Sequence, residues 1–421
     1  MHGGFPDPAQ GLKVHERSRL EGSWGATSAG TGADPSIAAH VQALLESAVA
    51  RGASDIHLEG SSGGSRVRLR IDGLLQTVAL PADDLRVRMV ALLKVLGGLD
   101  IGERRLPQDG RLQLATSTGQ SVDFRISTLP TLFGEKVVLR LIDPLAARRD
   151  LGMLGMEQAQ RHCLEHVLDR PQGLVLVTGP TGSGKTATLY AALSRLNTDA
   201  RNISTVEDPV EVILPGINQV QRNARAGLDF ASALRALLRQ DPDVLMIGEI
   251  RDAETAAIAI RAAQTGHLVL SSLHTNDAPQ AVARLLDMGI PAYNLAAALS
   301  LVIAQRLVRC LCPDCRQPCE PAPARWQSLG IDPPAGESAA QIHSAAGCDR
   351  CTGGYRGRTG IYQVMPFTAA MAERLLTRGH GADVADLARQ AGIADLRQAA
   401  LRKVFSGTTS LEELVRITSD Q

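Results

Sequence analysis

The sequence predicts an α/β protein built on a parallel sheet, preceded by an α+β domain and followed by a small cysteine-rich region and terminal helices. Three observations carry that reading. Gly179-Pro180-Thr181-Gly182-Ser183-Gly184-Lys185-Thr186 follows directly on the apolar run Leu174-Val175-Leu176-Val177, so it joins a buried strand to a helix. Further short apolar runs, each ending in a polar residue, alternate with helical patterns. Two Cys-x-x-Cys pairs, Cys312 with Cys315 and Cys348 with Cys351, stand beyond them.

Taken in order, residues 1–35 are rich in Gly, Ser, Pro and charge without periodicity, which predicts a disordered tail. The spacing Ile37, Val41, Leu44, Leu45, Ala48, Val49 is helical and stops at Gly52, before a short strand Ser54–Leu58. Arg66 to Gly73 alternates strictly, so Val67, Leu69 and Ile71 face a core, three arginines take the other face, and Asp72-Gly73 turns the chain. A helix over Leu85–Leu96 and strands at Ser121–Ile126 and Lys136–Ile142 complete an N-terminal α+β domain, residues 36–145. A hinge is expected over Pro144–Asp150. The parallel-sheet core, residues 146–308, has strands at Leu174–Thr178, Asn202–Val206, Val244–Ile247 and His267–Ser271. Residues 309–356 hold the cysteines, and 357–421 contain helices near 382–391, 395–405 and 411–417, the last with a Ser410/Glu413 capping box.

Composition narrows the function classes. At 421 residues and 44% hydrophobic the chain is long enough for two or three cores. Lys plus Arg equals Asp plus Glu, 44 against 44, so no general positive field points to nucleic acid or an anionic membrane. No apolar segment reaches the roughly 18 residues that span a bilayer, and the start lacks the apolar centre of a signal peptide, so a cytoplasmic protein is expected. Six of the seven cysteines crowd between Cys310 and Cys351, which suits a metal in a reducing compartment better than disulfides.

The glycine-rich loop is the strongest chemical signal. Glycines 179, 182 and 184 let backbone amides curl around phosphate oxygens, Lys185 adds a point charge, the helix adds its dipole, and Thr186 offers a hydroxyl to Mg²⁺. A bound nucleoside triphosphate with Mg²⁺ is therefore expected. Val244-Leu245-Met246-Ile247-Gly248-Glu249 ends a strand in a carboxylate suited to the metal, with Gly248 where an aspartate commonly stands. Glu207 and Glu211, in Glu207-Asp208-Pro209-Val210-Glu211, can orient or deprotonate water, and the choice among Glu207, Glu211 and Glu249 stays open. His267 and His274 bracket a strand, and His274, at its C-terminal end, is the better candidate for sensing a γ-phosphate. Cys312, Cys315, Cys348 and Cys351 can close a tetrahedral, structural Zn²⁺ site, with Cys310 and Cys319 as competing ligands. Arg111 and Arg125, with Arg66, Arg68 and Arg70, could stabilise a transferring phosphoryl group or simply form a solvated strand face. Arg235 and Arg239 share a helix face.

These motifs together resemble the type II secretion and type IV pilus assembly ATPases, the family of general secretion pathway protein E. The resemblance runs from about Ser36 onward. It rests on Gly179–Thr186, the aspartate box Thr205–Glu211, the Walker B segment Gly248-Glu249-Ile250-Arg251-Asp252, and the histidine box Thr265–Asp277. In that family Gly248 is the ordinary residue, and the double Cys-x-x-Cys resembles the assembly and secretion branch as opposed to retraction motors. The resemblance implies a RecA-like P-loop ATPase core flexibly joined to the N-terminal domain, and a homo-oligomer, a ring of six whose neighbours share nucleotide. It gives Arg111, in Gln108-Asp109-Gly110-Arg111, and Arg125, in Phe124-Arg125-Ile126-Ser127, the look of phosphate contacts. It also implies work on an inner-membrane platform protein, with peripheral membrane association through partners, driving a pilus or pseudopilus and protein export. Only a short stretch precedes Ile37 here, so attachment through the zinc region or core, or service in a pilus-like or competence-type apparatus, is expected. The competing reading is a nucleic-acid motor or zinc-dependent nucleic-acid-binding ATPase, disfavoured by neutral charge and 3% aromatic content, so no nucleic acid is expected as a partner.

Overall fold

A computed structural model describes residues 37–116, 121–142, 150–320, 326, 342–378 and 381–418. The expected tail, residues 1–35, and all of the expected hinge but Asp150 lie outside the described residues. The chain divides into two compact units, Met1–Pro144 with Gly347–Arg356, and Leu145–Ala346 with Gly357–Gln421.

The first unit opens with α1 (Ile37–Ala50), then β1 (Ala53–Ser61), β2 (Gly64–Ile71), β3 (Leu74–Ala79), α2 (Asp83–Leu96), β4 (Gln108–Ala115), β5 (Ser121–Thr131) and β6 (Gly134–Ile142). The six strands form one sheet in the order β3-β2-β1-β6-β5-β4, every neighbour antiparallel. Asp72 and Gly73 both have positive φ, 48° and 87°, the conformation a two-residue hairpin between β2 and β3 demands. Strict alternation sends Val67, Leu69, Phe124, Ile126 and Leu139 onto Leu44, Leu45, Met89 and Leu93 of the two helices. Each such leucine contributes about 1.5–3 kcal/mol by leaving water.

The other face of that sheet is polar, and Arg66, Arg68, Arg70 and Arg140 meet strand carboxylates there. Glu59 accepts Arg66 at 3.1 Å and Arg68 at 2.8 Å and meets Lys136 at 2.9 Å, while Asp55 meets Arg140 at 2.9 Å and Arg70 at 3.8 Å. Burial opposes the charge on Glu59, but the Arg68 and Lys136 bonds overcome it and hold its pKa at about 2. Arg66, Arg68 and Arg70 thus serve the sheet itself.

The second unit centres on a seven-stranded sheet. Its elements are α3 (Gln158–Leu168), β7 (Gly173–Thr178), α4 (Lys185–Leu196), β8 (Ile203–Glu207), β9 (Asn218–Gln221), α5 (Phe230–Leu237), β10 (Val244–Ile247), α6 (Ala253–Gln264), β11 (Leu268–Leu273), α7 (Ala278–Asp287), α8 (Ala292–Ala298) and β12 (Leu299–Leu311). The two-residue strands β13 (Gln317–Pro318) and β14 (His343–Ser344) pair with each other, and β15 (Tyr355–Pro366) returns to the main sheet. Helices α9 (Ala369–Arg378), α10 (Gly381–Gln390), α11 (Leu396–Phe405) and α12 (Leu411–Thr418) follow. The sheet order is β15-β12-β7-β11-β10-β8-β9, with β12, β7, β11, β10, β8 and β9 parallel.

Every residue of β7, β8, β10 and β11 is buried, because helices cover both faces of the sheet. Leu174, Leu176, Leu245 and Ile247 pack on one side with α5, α6 and α7. Val175, Val177, Val244 and Met246 pack on the other with α3 and α4. The C-terminal ends of these four strands therefore open at one edge, where open parallel sheets bind ligands. Among the described residues no helix is long and apolar enough to cross a membrane.

A candidate nucleotide site and a candidate metal centre

The loop between β7 and α4 has the backbone its glycines allow. Gly179 has φ 150° and Gly184, the N-cap of α4, has φ 91°. A Cβ at Gly179 would press into the Gln305 carbonyl and Ser183 Oγ, and one at Gly184 into the Gln305 side-chain amide. Only glycine fits either place. Lys185 begins the helix, is 9% exposed, and donates to the Gly179 carbonyl at 2.7 Å and the Pro180 carbonyl at 3.1 Å. Burial pulls its pKa down to about 8 against the opposing pull of the Glu249 carboxylate. Ser183 Oγ is buried without a partner among the described residues, and Thr186 is exposed. A glycine loop at a helix N-terminus with a buried cation and an orphan hydroxyl fits an anionic phosphate chain.

Around it the neighbouring strand ends supply acid and imidazole. Glu249, just beyond β10, pairs with Arg251 and lies 3.4 Å from His274 Nε2. His274 Nδ1 in turn lies 3.5 Å from Lys185 Nζ, so lysine, histidine and glutamate form one continuous array. Thr275 and Thr178 hold the histidine segment to β7 through hydroxyl and amide contacts of 2.8 Å. His267 sits at the opposite end of β11, its Nδ1 3.1 Å from the Ala262 carbonyl, well away from this edge.

The aspartate box follows β8, with a cis bond between Asp208 and Pro209. Glu207 is 3% exposed and its carboxylate is taken by Tyr190, Thr205 and Gln219. Glu211 is half-buried. Asp208 pairs with Arg222 at 2.6 Å. Arg235 pairs with Glu254 at 2.7 Å, and Arg239, past the end of α5, donates to the Arg235 carbonyl. Arg111 and Arg125 are direct cross-strand partners on β4 and β5, and Arg140 of β6 is the next in that row. Sequence reasoning passed over Tyr190 and Arg251. Arg251 was visible in Gly-Glu-Ile-Arg-Asp, while a tyrosine inside an apolar helix face gave no sign of its hydroxyl's partner.

The cysteines behave as a set. The sulfurs of Cys312, Cys315, Cys348 and Cys351 all lie within 4.8 Å of one another, and Cys310 and Cys319 are not among them. Cys348 and Cys351 sulfurs are 3.6 Å apart, close to the ~3.8 Å that thiolates about 2.3 Å from a tetrahedral zinc must keep. Each pair closes a tight turn, Cys315 N–H to the Cys312 carbonyl and Cys351 N–H to the Cys348 carbonyl. The donor set fits a closed, structural metal site.

A phosphate loop between strand and helix, a buried lysine, and carboxylates at adjoining ends of a parallel sheet define a P-loop nucleoside triphosphatase. Within that class the sequence matches the type II/IV secretion system proteins over residues 31–416. It is 50% identical over 387 residues to the type IV pilus assembly ATPase PilB of Pseudomonas aeruginosa, covering 92% of this chain and 68% of that protein. It is 48% identical over 389 residues to the type II secretion system protein E of the same organism, covering 92% and 76%. Among solved structures it resembles the pilus retraction motor PilT with bound ADP, at 26% identity and a TM-score of 0.58 over 89% of this chain and 96% of that one. The Legionella pneumophila ATPase DotB, at 20% identity and a TM-score of 0.66 over 94% and 98%, shares the fold. The chain belongs to the type II/IV secretion system protein family and is an ATPase of that family.

Proposed function

We propose that the chain hydrolyses ATP as the motor of a type II secretion or type IV pilus-like assembly apparatus, using domain rotation to drive pilus or pseudopilus assembly and protein export. The observation that supports it is the convergence of Lys185, His274 and Glu249 beside the glycine loop. Residues Gly179 to Lys185 hold the phosphates, Thr186 and Glu249 serve Mg²⁺, and His274 senses the terminal phosphate through its contact with Glu249. A carboxylate of the aspartate box activates water. Arg111 and Arg125 take the phosphate-contacting role that the family resemblance gives them. Zn²⁺ held by Cys312, Cys315, Cys348 and Cys351 is structural.

The same proposal includes a ring of six, an inner-membrane platform protein as the partner, and a place at the cytoplasmic face of that membrane. It also carries the division into a tail (1–35), N-terminal domain (36–145), core (146–308), zinc-binding subdomain (309–356) and helical region (357–421). Strand β12 runs across residue 308 to Leu311, and β15 joins the core sheet from beyond it. Relatives named as assembly and secretion ATPases favour this reading over a nucleic-acid motor. Phosphate release by the full chain and by Lys185→Ala tests it: the variant is expected to lose turnover, and turnover at the parent rate would refute the site.

A further inference from the structure

The two glutamates of the aspartate box are held in different ways. Glu207 Oε2 accepts the Tyr190 hydroxyl at 2.5 Å, and Oε1 accepts Thr205 Oγ1 at 2.6 Å and Gln219 Nε2 at 3.1 Å. A carboxylate that accepts three side-chain donors and is 3% exposed has both oxygens occupied. Turning either oxygen toward a water would break those bonds.

Tyr190 comes from α4, the helix that starts at Lys185, and its ring is 1% exposed in the apolar layer beneath the sheet. Its oxygen has a second partner, accepting the backbone N–H of Glu211 at 3.3 Å. One phenol thus ties the helix of the phosphate loop to both glutamates of the box. Gln219 braces the same segment from β9: its Nε2 donates to the Val212 carbonyl at 3.1 Å, and its Oε1 accepts the Leu214 N–H at 2.7 Å.

We infer that Tyr190 is a positioning residue for hydrolysis, fixing the backbone at Glu211 against the phosphate-loop helix with Glu207 as its buried anchor, so that Glu211 is the aspartate-box carboxylate that meets water. This rests on the ATPase reading above. Burial and the Glu207 carboxylate push the phenol's pKa upward, so it remains a donor at any working pH.

The test is Tyr190→Phe in the full chain, which removes one oxygen from a ring already packed in apolar surroundings. Amide exchange at residues 208–214 should quicken, and kcat should fall roughly ten- to a hundredfold through misplacement of the carboxylate. The KM for ATP and the affinity for a fluorescent nucleotide should stay within about twofold, since the phosphate loop is untouched. Unchanged exchange together with an unchanged kcat overturns the inference. Glu207→Gln separates anchor from base. The double variant with Tyr190→Phe should turn over no more slowly than Tyr190→Phe alone, because both changes release the same tie. Abolished turnover in Glu207→Gln with exchange at Glu211 unchanged would make Glu207 the base and overturn the inference. A parent chain that releases no phosphate refutes the ATPase reading instead, and the exchange comparison at Glu211 still decides the anchoring.

Discussion

Raising the pH is expected to discharge Lys185 well before a surface lysine. The residue is 9% exposed, and burial lowers its pKa from 10.5 to about 8 despite the nearby Glu249 carboxylate. The protonated form is the one phosphate requires, so binding is lost as pH rises through that value. A single titration at about 8 leaves about nine-tenths of the lysine charged near pH 7 and about one-tenth near pH 9. The kcat/KM for ATP, which reports the free protein, should then fall roughly tenfold over that interval. By contrast kcat should change far less, since bound phosphates favour the charged amine. Folding moves the other way. Between about pH 8 and 10.5 the unfolded chain binds more protons at this residue than the native one, so its contribution to stability rises with pH. Lost activity in this window is therefore not explained by this lysine's contribution to stability. The assay is steady-state phosphate release at constant ionic strength across the range. A flat kcat/KM, or a parallel fall in kcat, would refute the reasoning.

Further outcomes follow from three other parts of the molecule. Glu413 is fully buried between Arg309 and Arg416. Glu413→Ala should cost up to about 3 kcal/mol in denaturant unfolding, because the largely buried Arg309 loses its counter-charge, while Arg416, 44% exposed, can turn to solvent. Burial works against ionisation of Glu413, but the Arg416 and Arg309 bonds hold its pKa at about 2, so its stabilisation is complete above 4.5 and drains as pH falls toward 2. Glu413→Gln should flatten that acid limb of the melting curve. Metal analysis of reduced protein should find one Zn²⁺ per chain, lost in Cys348→Ser together with a lower melting temperature and raised sensitivity to chelators. Finally, Lys94, 0% exposed, donates to Glu135 at 2.7 Å and to the Glu103 carbonyl at 2.6 Å. Lys94→Met should destabilise by about 3–5 kcal/mol, and Lys94→Met with Glu135→Leu should recover much of that.

The features most legible in the sequence were those whose partners lie close along the chain. The phosphate loop announces itself through glycines a few residues apart, and its strand and helix stand where the pattern places them, Gly173–Thr178 and Lys185–Leu196. The alternation of Arg66–Ile71 gives both the buried face and the turn that follows it. The two cysteine pairs are legible for the same reason, each closing within four residues. The capping expectation at Ser410 is local too: its hydroxyl accepts the Glu413 N–H at 3.2 Å. The carboxylate of Glu413, by contrast, answers to Arg309, a hundred positions upstream.

That contrast explains the two core strands the sequence concealed. β12, Leu299–Leu311, carries Gln305, Arg306 and Arg309 through an otherwise apolar run, which breaks the signature of a buried strand and places the expected end of the core at residue 308, inside the strand. Each of these side chains finds a partner far along the chain. Gln305 accepts the Thr188 hydroxyl at 2.7 Å, Arg306 donates to the Ile417 carbonyl at 3.1 Å, and Arg309 pairs with Glu413 at 2.8 Å. β15 hides in the same way, its glycines and arginines preceding a buried run whose Gln363 accepts the Ala278 N–H at 2.9 Å. A polar residue inside a sheet costs little once such a partner arrives and a great deal before it does. Periodicity registers only the cost. The C-terminal helix α12 therefore helps to complete the core sheet: it supplies the carboxylate and the carbonyl that let β12 run beside the phosphate-loop strand. Truncating it should expose Arg306 and Arg309 inside the fold and loosen the strand next to β7, which limited proteolysis of a chain ending before Ser410 would detect as cleavage within Leu299–Leu311.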